Sequence, residues 1–412
     1  IFPSVAGGWL VSNEKFWTGR LADVISLLKI KGSYGIVGND QIGGNRRFIY
    51  LETINSGDKW SFGETVTSYP SYRRGEWAND NVGWEKSRKL DVGVDVSFFD
   101  KLRVQVDWFK EKRSGIFLQR SSIPEYIGIT TKPYVNIGRM RNSGWDSSLQ
   151  YDQKIGQVNF SAMGNFTFAR NVIEDQDQPD YIEKYMNRTG QARWQTFGYV
   201  SDGLFKNEAD IATSPDQSAL GEVRPGDIKY KDLNNDGVID SKDVKAIGYT
   251  DVPEIVYGFG VSAQWKGFDV SVFFQGNAHV SFSINSSMVR GFTEPKMAAN
   301  NVFSDIYGNY WTERNTDAKY PRLTTTEATN NNQSSDFWLV NGRYIRLKNA
   351  EFGYTFPKRL IQKMHLSQLR VFVSGTNLLT FAPFKLWDPD LQTGASNYPN
   401  TRVANIGLNI GF

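Results

Sequence analysis

The chain has 412 residues, of which 40% are hydrophobic, 22% charged and 14% aromatic, and its formal net charge is +3. These values exclude a disordered chain and a uniformly apolar one, and so small a charge gives no basis for steering nucleic acid. The lack of cysteine excludes disulfides, thiolate metal sites and cysteine catalysis, and two histidines, His279 and His365, are too few for a histidine-based metal or catalytic cluster.

No apolar run approaches the roughly 18–20 residues that a membrane-spanning helix needs. A spanning protein with this sequence therefore has to be a closed β-barrel, the other way to satisfy backbone polar groups in lipid. The 12 Trp, 19 Tyr, 27 Phe and 38 Gly suit many strands with aromatic girdles. A large soluble β-sandwich would share this composition. The opening Ile1-Phe2-Pro3 reads like the interior of a strand, with no initiator Met or signal peptide, so the chain is expected to be a fragment or a processed piece.

In chain order, the first strands are expected near 5–12 and 28–37. The clearest period-two alternation follows. Leu90, Val92, Val94, Val96 and Phe98 alternate with Asp91, Gly93, Asp95 and Ser97. After a Phe99-Asp100-Lys101 turn, Leu102, Val104, Val106 and Trp108 alternate with Arg103, Gln105 and Asp107. A second hairpin spans about 143–170, turning over Gln153 to Gln157. A third runs from Ile255 to Gly276 around Lys266-Gly267. Strands near 341–356, 369–379 and 402–412 complete about eleven. Trp265, Phe268, Tyr354, Phe356 and Phe412, with Phe98 and Phe99, cluster beside the short turns, where an interfacial girdle would sit.

The links alternate in length. Those near 99–101, 153–157 and 266–267 are short, and those near 13–27 and 357–368 are moderate. Those near 38–81, 117–140, 173–253, 281–340 and 380–401 are long. In an up-and-down sheet every long loop then falls at one end, the asymmetry of outer-membrane barrels. A compact soluble domain seldom carries several loops this long. The expected fold is an all-β, transmembrane antiparallel β-barrel piece, 1–412, with long extracellular loops. Because single-chain bacterial barrels have even strand counts, an odd eleven implies further strands from sequence not present here.

One motif is chemically specific. Asp232, Asn234, Asp236, Gly237, Val238, Asp240 and Asp243 match the spacing of an EF-hand calcium loop, inside a module spanning 226–245. Calcium takes hard oxygen ligands. Asp232, Asn234 and Asp236 would supply side chains, Val238 its carbonyl, Asp240 a water-mediated contact, and Asp243 the closing carboxylate. Asp in place of the usual Glu at the last position is shorter. The expected role is structural, stapling a long exposed loop. The competing reading is an acidic Asx-turn loop without metal. Paired carboxylates such as Asp175 with Asp177 and Asp388 with Asp390 read as solvated loop charge. No catalytic residues are expected. Trp194, Tyr310, Trp311, Trp338 and Trp387 are candidate substrate contacts, able to stack on a sugar or peptide.

Several segments together are similar to the SusC-like, TonB-dependent outer-membrane transporters. They are Phe2-Pro3-Ser4-Val5-Ala6-Gly7-Gly8-Trp9, Leu28-Lys29-Ile30-Lys31-Gly32-Ser33-Tyr34-Gly35 and Gly226-Asp227-Ile228-Lys229-Tyr230 joined to the calcium-type loop. Tyr257-Gly258-Phe259-Gly260, Phe273-Phe274-Gln275-Gly276, Tyr344-Ile345-Arg346-Leu347-Lys348-Asn349, Val373-Ser374-Gly375-Thr376-Asn377-Leu378-Leu379 and the aromatic terminus Phe412 follow in order. The resemblance implies the C-terminal half of a 22-stranded, plugged barrel in outer-membrane lipid. It also implies a SusD-like surface lipoprotein over the mouth, TonB coupling through an absent N-terminal region, and import of an oligosaccharide or a peptide. A passive porin-like channel and a soluble, calcium-stapled glycan-binding β-sandwich are the competing readings.

Overall fold

The computed structural model describes residues 1–41, 48–64, 66–129, 131–290, 292, 302–394 and 396–412. Parts of the expected loops 38–81, 117–140, 281–340 and 380–401 therefore lie outside the described residues. Eleven strands form one antiparallel sheet among those described. They are β1 Ser4–Leu10, β2 Ile25–Asn39, β3 Glu85–Phe98, β4 Leu102–Gln119, β5 Tyr134–Ile155 and β6 Val158–Asp175. β7 Ile255–Trp265, β8 Phe268–Ala278, β9 Tyr344–Thr355, β10 Gln368–Phe381 and β11 Val403–Gly411 complete it. Each strand pairs only with its sequence neighbours in this sheet, so β1 and β11 are its two edges and the barrel is not closed. No helix among the described residues is long and apolar enough to cross a membrane.

The alternation becomes two chemically distinct walls because residues paired across antiparallel strands share a face. One cross-strand row runs Phe98, Leu102, Tyr151, Ala162, Val261, Val272 and Ala350. A neighbouring row runs Phe160, Ala263, Val270, Phe352, Val373 and Ile406. Val261, Val270, Phe352, Val373 and Ile406 all stand exposed. In water such a wall would be a severe aggregation liability; in hydrocarbon it is the required surface. The opposite face carries Lys31, Asp95 and Asp107, with Lys31 Nζ 3.2 Å from Asp95 and 2.8 Å from Asp107. Arg370, on the same polar wall, pairs with Asp269 and Glu351.

The short turns use the conformations that match strand twist. Lys266 and Gly267 both have positive φ, the two-residue type I′ pattern, and Phe99 and Asp100 also have positive φ in the three-residue turn between Phe98 and Leu102. The second hairpin turns at Gly156-Gln157, tighter than the expected 153–157, because Gly156 alone adopts positive φ and lets both strands run to the turn. The girdle forms at this end: Phe268 and Tyr354 lie 4.6 Å apart, and Tyr354 and Phe356 5.0 Å.

At the other end the strands outrun the expectation. β4 and β5 remain paired from Phe117 to Gln119 against Asn136 to Tyr134, so the link expected at 117–140 shrinks to 120–133. No clean apolar alternation marks these strand ends, which lie past the greasy belt, while backbone pairing continues regardless. The expected loop 38–81 contains its own hairpin, Ile54–Phe62 with Thr67–Arg74, which lacks a clean alternation.

Candidate functional site

Three long-end loops, 176–254, 279–343 and 382–402, fold together. Tyr199, Leu204, Ile228, Tyr230 and Ile239 from the first share a core with Phe282, Ile284, Val289, Ile306, Tyr320 and Trp338 from the second and Phe384 from the third. Segments so polar pack because their internal polar groups find partners. Gln217 accepts from the Tyr230 amide at 2.6 Å and donates to the Ile228 carbonyl and to Asn330 Oδ1. Asn330 and Asn331, within the link expected near 281–340, are buried; Asn331 Oδ1 accepts from the Ile228 amide at 2.8 Å.

The segment 226–230 is the hinge of this layer. Gly226 has φ of 86°, and a Cβ there would sit 2.5 Å from the Trp311 ring. Asp227 is 0% exposed, pairs with Arg322 at 2.7 Å, and accepts from the Arg224 amide and from Asn331 Nδ2. The third loop is fastened to the sheet by Arg346, which is 1% exposed and reaches Thr380, Asp388 and Asp390. Asp388 and Asp390, expected to be solvated loop charge, are thus a clamp on a buried guanidinium. Asp177 likewise accepts from the amides of Ser121 and Ser122, which holds its carboxyl below the ordinary range against the opposing effect of burial. Its neighbour Asp175 pairs with Arg139 at 2.8 Å.

The acidic loop follows directly from Tyr230. Asp232 accepts from the amides of Asn235, Asp236 and Gly237, and Asn235 and Gly237 supply the positive φ that the turn demands. Asp243 is buried and accepts from the Leu233 and Asp240 amides at 2.7 and 2.9 Å. The Asp216 amide bonds the Gly237 carbonyl and the Ile239 amide returns to Asp216, which directs the Val238 carbonyl to the other side. Lys242 Nζ lies 3.2 Å from Asp236 and 3.4 Å from Asp240. Hydrogen bonds from Asn234 and the Val238 amide, together with Lys242, hold the Asp236 carboxyl below its ordinary value. Tyr185, which donates to the Lys242 carbonyl, is pushed up to about 12 by burial and by the surrounding carboxylates. As arranged, no three His, Cys, Asp or Glu groups among the described residues are gathered to hold a metal ion. The donor chemistry nevertheless fits calcium: the donors are all oxygen, and the Lys242 ammonium occupies the place of a cation between Asp236 and Asp240.

The aromatic candidates separate. Trp338 is 1% exposed and donates to the Asn331 carbonyl at 2.7 Å, so it is a core residue, not a platform for substrate. Tyr310, Trp311 and Trp387 pack partly buried against the same core, and Trp387 donates to the Gln392 carbonyl. Trp194 alone of the five is largely exposed. A cavity of about 360 Å³ lies between the second and third loops, lined by Asp305, Lys319, Tyr320, Phe337, Trp338 and Phe384 among others. Its Asp305 carboxyl is held below the ordinary range by Lys319 and Tyr320. Sequence reasoning missed Asp305, Lys319 and Phe384, which carry no local pattern. His279 stacks on Tyr249 at 4.5 Å and lies 3.1 Å from Glu254, a structural role.

An open apolar outer wall, a charged opposite wall and a folded layer of long loops at one end together define a segment of a membrane-spanning β-barrel. Residues 45–378 match the family model described as TonB dependent receptor-like, beta-barrel, and the chain belongs to that family of outer-membrane proteins. It is 29% identical over 444 residues to the TonB-dependent receptor P3 of Formosa agariphila, covering 100% of this chain and 42% of the relative. It is 25% identical over 430 residues to the TonB-dependent receptor SusC of Bacteroides thetaiotaomicron, covering 100% of this chain and 40% of the relative. The fold is similar to that of the RagAB peptide transporter, with TM-score 0.72 and 22% identity over 100% of this chain and 43% of the solved one. The chain thus spans less than half the length of the relatives it matches.

Proposed function

We propose that this chain is the C-terminal half of the barrel wall of a SusC-like, TonB-dependent importer. It carries a nutrient across the outer membrane under a SusD-like surface lipoprotein. The observation that carries the reading is the coexistence of a lipid-type wall with long loops that share one hydrophobic core at one end. A passive channel has no need of so large a built layer over its mouth. One solved neighbour is named a peptide transporter, and the resemblance to SusC-like transporters implies oligosaccharides as well, so oligosaccharide and peptide are both carried forward. No chemical step is assigned; the residues act by binding and shape. Cells making the full-length protein are expected to take up labelled oligosaccharide or peptide, and to stop when a protonophore collapses the inner-membrane gradient. Uptake that persists unchanged under the protonophore would identify a passive channel instead.

The same reading includes calcium in the acidic loop. Asp232, Asn234, Asp236, the Val238 carbonyl, Asp240 and Asp243 would hold it, and bound calcium would supply cross-linking charge, not chemistry. Titration of the full-length receptor with calcium is expected to saturate with a dissociation constant on the order of 0.1–1 mM, as in extracellular modules. Asp232→Ala should abolish the saturation, and Lys242→Ala should tighten it by removing the competing ammonium. Heat from calcium that is identical in wild type and Asp232→Ala would refute the site.

A further inference from the structure

The apolar wall changes chemistry abruptly toward the long-loop end of β3, β4, β5 and β6. Val92, Trp108, Trp145 and Phe168 form one cross-strand row on that face, with the Trp108 and Trp145 rings 6.5 Å apart and Trp145 exposed. The next row toward the loops is Leu90, Lys110, Ser143 and Arg170, and the one after it is Arg88, Lys112, Arg141 and Val172. No register shift falls within these rows, so the cations stand on the same outer face as the tryptophans and not on the polar wall. Their depth follows from strand geometry. Lys110 lies about 27 Å along the strand from Leu102, and Lys112 about 34 Å, at roughly 3.4 Å per residue. A strand tilt of about 40° reduces these to about 21 and 26 Å along the membrane normal, against an apolar band about 25 Å tall. The two cationic rows therefore straddle the rim of the band. Trp108 and Trp145 beneath them occupy the place of an interfacial girdle, and a lysine at the depth of Lys110 extends its ammonium to the headgroup level along its own apolar stem.

Much of this charge is uncompensated. Arg170 is engaged by Glu254 at 2.6 Å, and Arg141 meets Glu174 only at 4.0 Å. Arg88, Lys110 and Lys112 have no ion-pair partner among the described residues, and Arg88 and Lys112 are exposed. Glu111 lies between the two lysines in sequence but on the polar wall, where it accepts from Ser87 and Arg113. Unpaired cations at the rim of a lipid-facing wall suit an anionic headgroup whose acyl chains lie on the wall below. The end with the long loops is the extracellular one, so that headgroup belongs to the outer leaflet, whose lipid is a phosphorylated glycolipid. Arg88 and Arg141 offer forked donors to phosphate oxygens, and the lysines add point charge. With adjacent strands about 4.8 Å apart, Arg88, Lys112 and Arg141 spread over about 10 Å. A patch this broad fits a phosphorylated disaccharide head better than a single glycerol phosphate.

We infer that Arg88, Lys110, Lys112 and Arg141 form an outward-facing site for the phosphate of an outer-leaflet glycolipid, seated above the Trp108–Trp145 pair. The site depends on the barrel fold and not on what is imported. The test is native mass spectrometry of the detergent-purified, delipidated full-length receptor, titrated separately with monophosphoryl lipid A, its dephosphorylated form and phosphatidylglycerol. Arg88→Gln, Lys110→Gln and Lys112→Gln are combined in one variant. Lys89→Gln with Arg103→Gln, on the polar wall, is the control for lost positive charge. Wild type is expected to bind the phosphorylated lipid A about tenfold more tightly than the dephosphorylated form. At about fivefold per cation removed, the triple variant should bind it on the order of a hundredfold more weakly. The control should bind as wild type does, and the heat-dependent gel shift of a folded barrel should persist in both variants. Equal affinity of wild type for the two forms of lipid A, a result that needs no variant, would overturn the site. So would undiminished binding by the triple variant, an equal loss in the control, or tighter binding of phosphatidylglycerol than of lipid A. Loss of a co-purifying surface lipoprotein from the triple variant, with lipid binding intact, would assign the face to a protein partner instead.

Discussion

Replacing Asp227 with Ala in the full-length receptor is expected to unfold the loop layer while leaving the barrel intact. The carboxylate is fully buried, and its removal strands the Arg322 guanidinium, the Arg224 amide and the Asn331 side-chain amide together. Breaking a buried, hydrogen-bonded ion pair from one side costs about 3–5 kcal/mol, a large share of what a small packed unit possesses. The damage should stay local because the layer has its own core, drawn from three loops, and meets the sheet mainly through the Arg346 clamp and the strand ends. Limited proteolysis provides the measurement: cleavage should appear within 176–254 and 279–343. The heat-dependent gel shift that reports a folded barrel should not change. A layer that stays resistant would show that its core holds without the 226–230 hinge.

The second large effect concerns which wall faces lipid. Val261 lies near the middle of β7 on the apolar face, and Ser262, its neighbour, faces the polar wall. Val261→Arg should destabilise the folded barrel by about 2–4 kcal/mol, the cost of a guanidinium at the bilayer midplane. Ser262→Arg should cost far less, because it enters a wall already carrying Lys31 and Arg370. Denaturant unfolding of the two variants in lipid vesicles separates them. Equal destabilisation would mean that both faces are packed against protein, as in a sandwich.

These expectations show where the sequence was legible. Period-two alternation located all eleven barrel strands, because a wall between lipid and a polar lumen imposes opposite chemistry on successive residues. It lost the strand extensions Phe117–Gln119 and Tyr134–Arg139, since above the lipid both faces meet water or protein and alternation has no cause there. The hairpin 54–74 escaped for the same reason. The loop core was illegible in a different way. Ile228, Phe282 and Phe384 are brought together from over 150 residues of chain, with no local period to announce them. The 226–230 segment was readable as a motif, yet its reason, a glycine under Trp311 and a carboxylate under Arg322, needed the third dimension. The aromatic candidates show the limit most plainly: composition could not tell Trp338, a core residue, from Trp194, an exposed indole.

The most direct test of the account is extraction of the native protein, with mass spectrometry of all that co-migrates. The account predicts that residues 1–412 are recovered from outer membranes only with detergent, inside a longer polypeptide bearing a plug, and together with a stoichiometric surface lipoprotein. Recovery of the chain intact and alone from the soluble fraction would contradict it, because an open sheet with an apolar outer wall cannot persist in water.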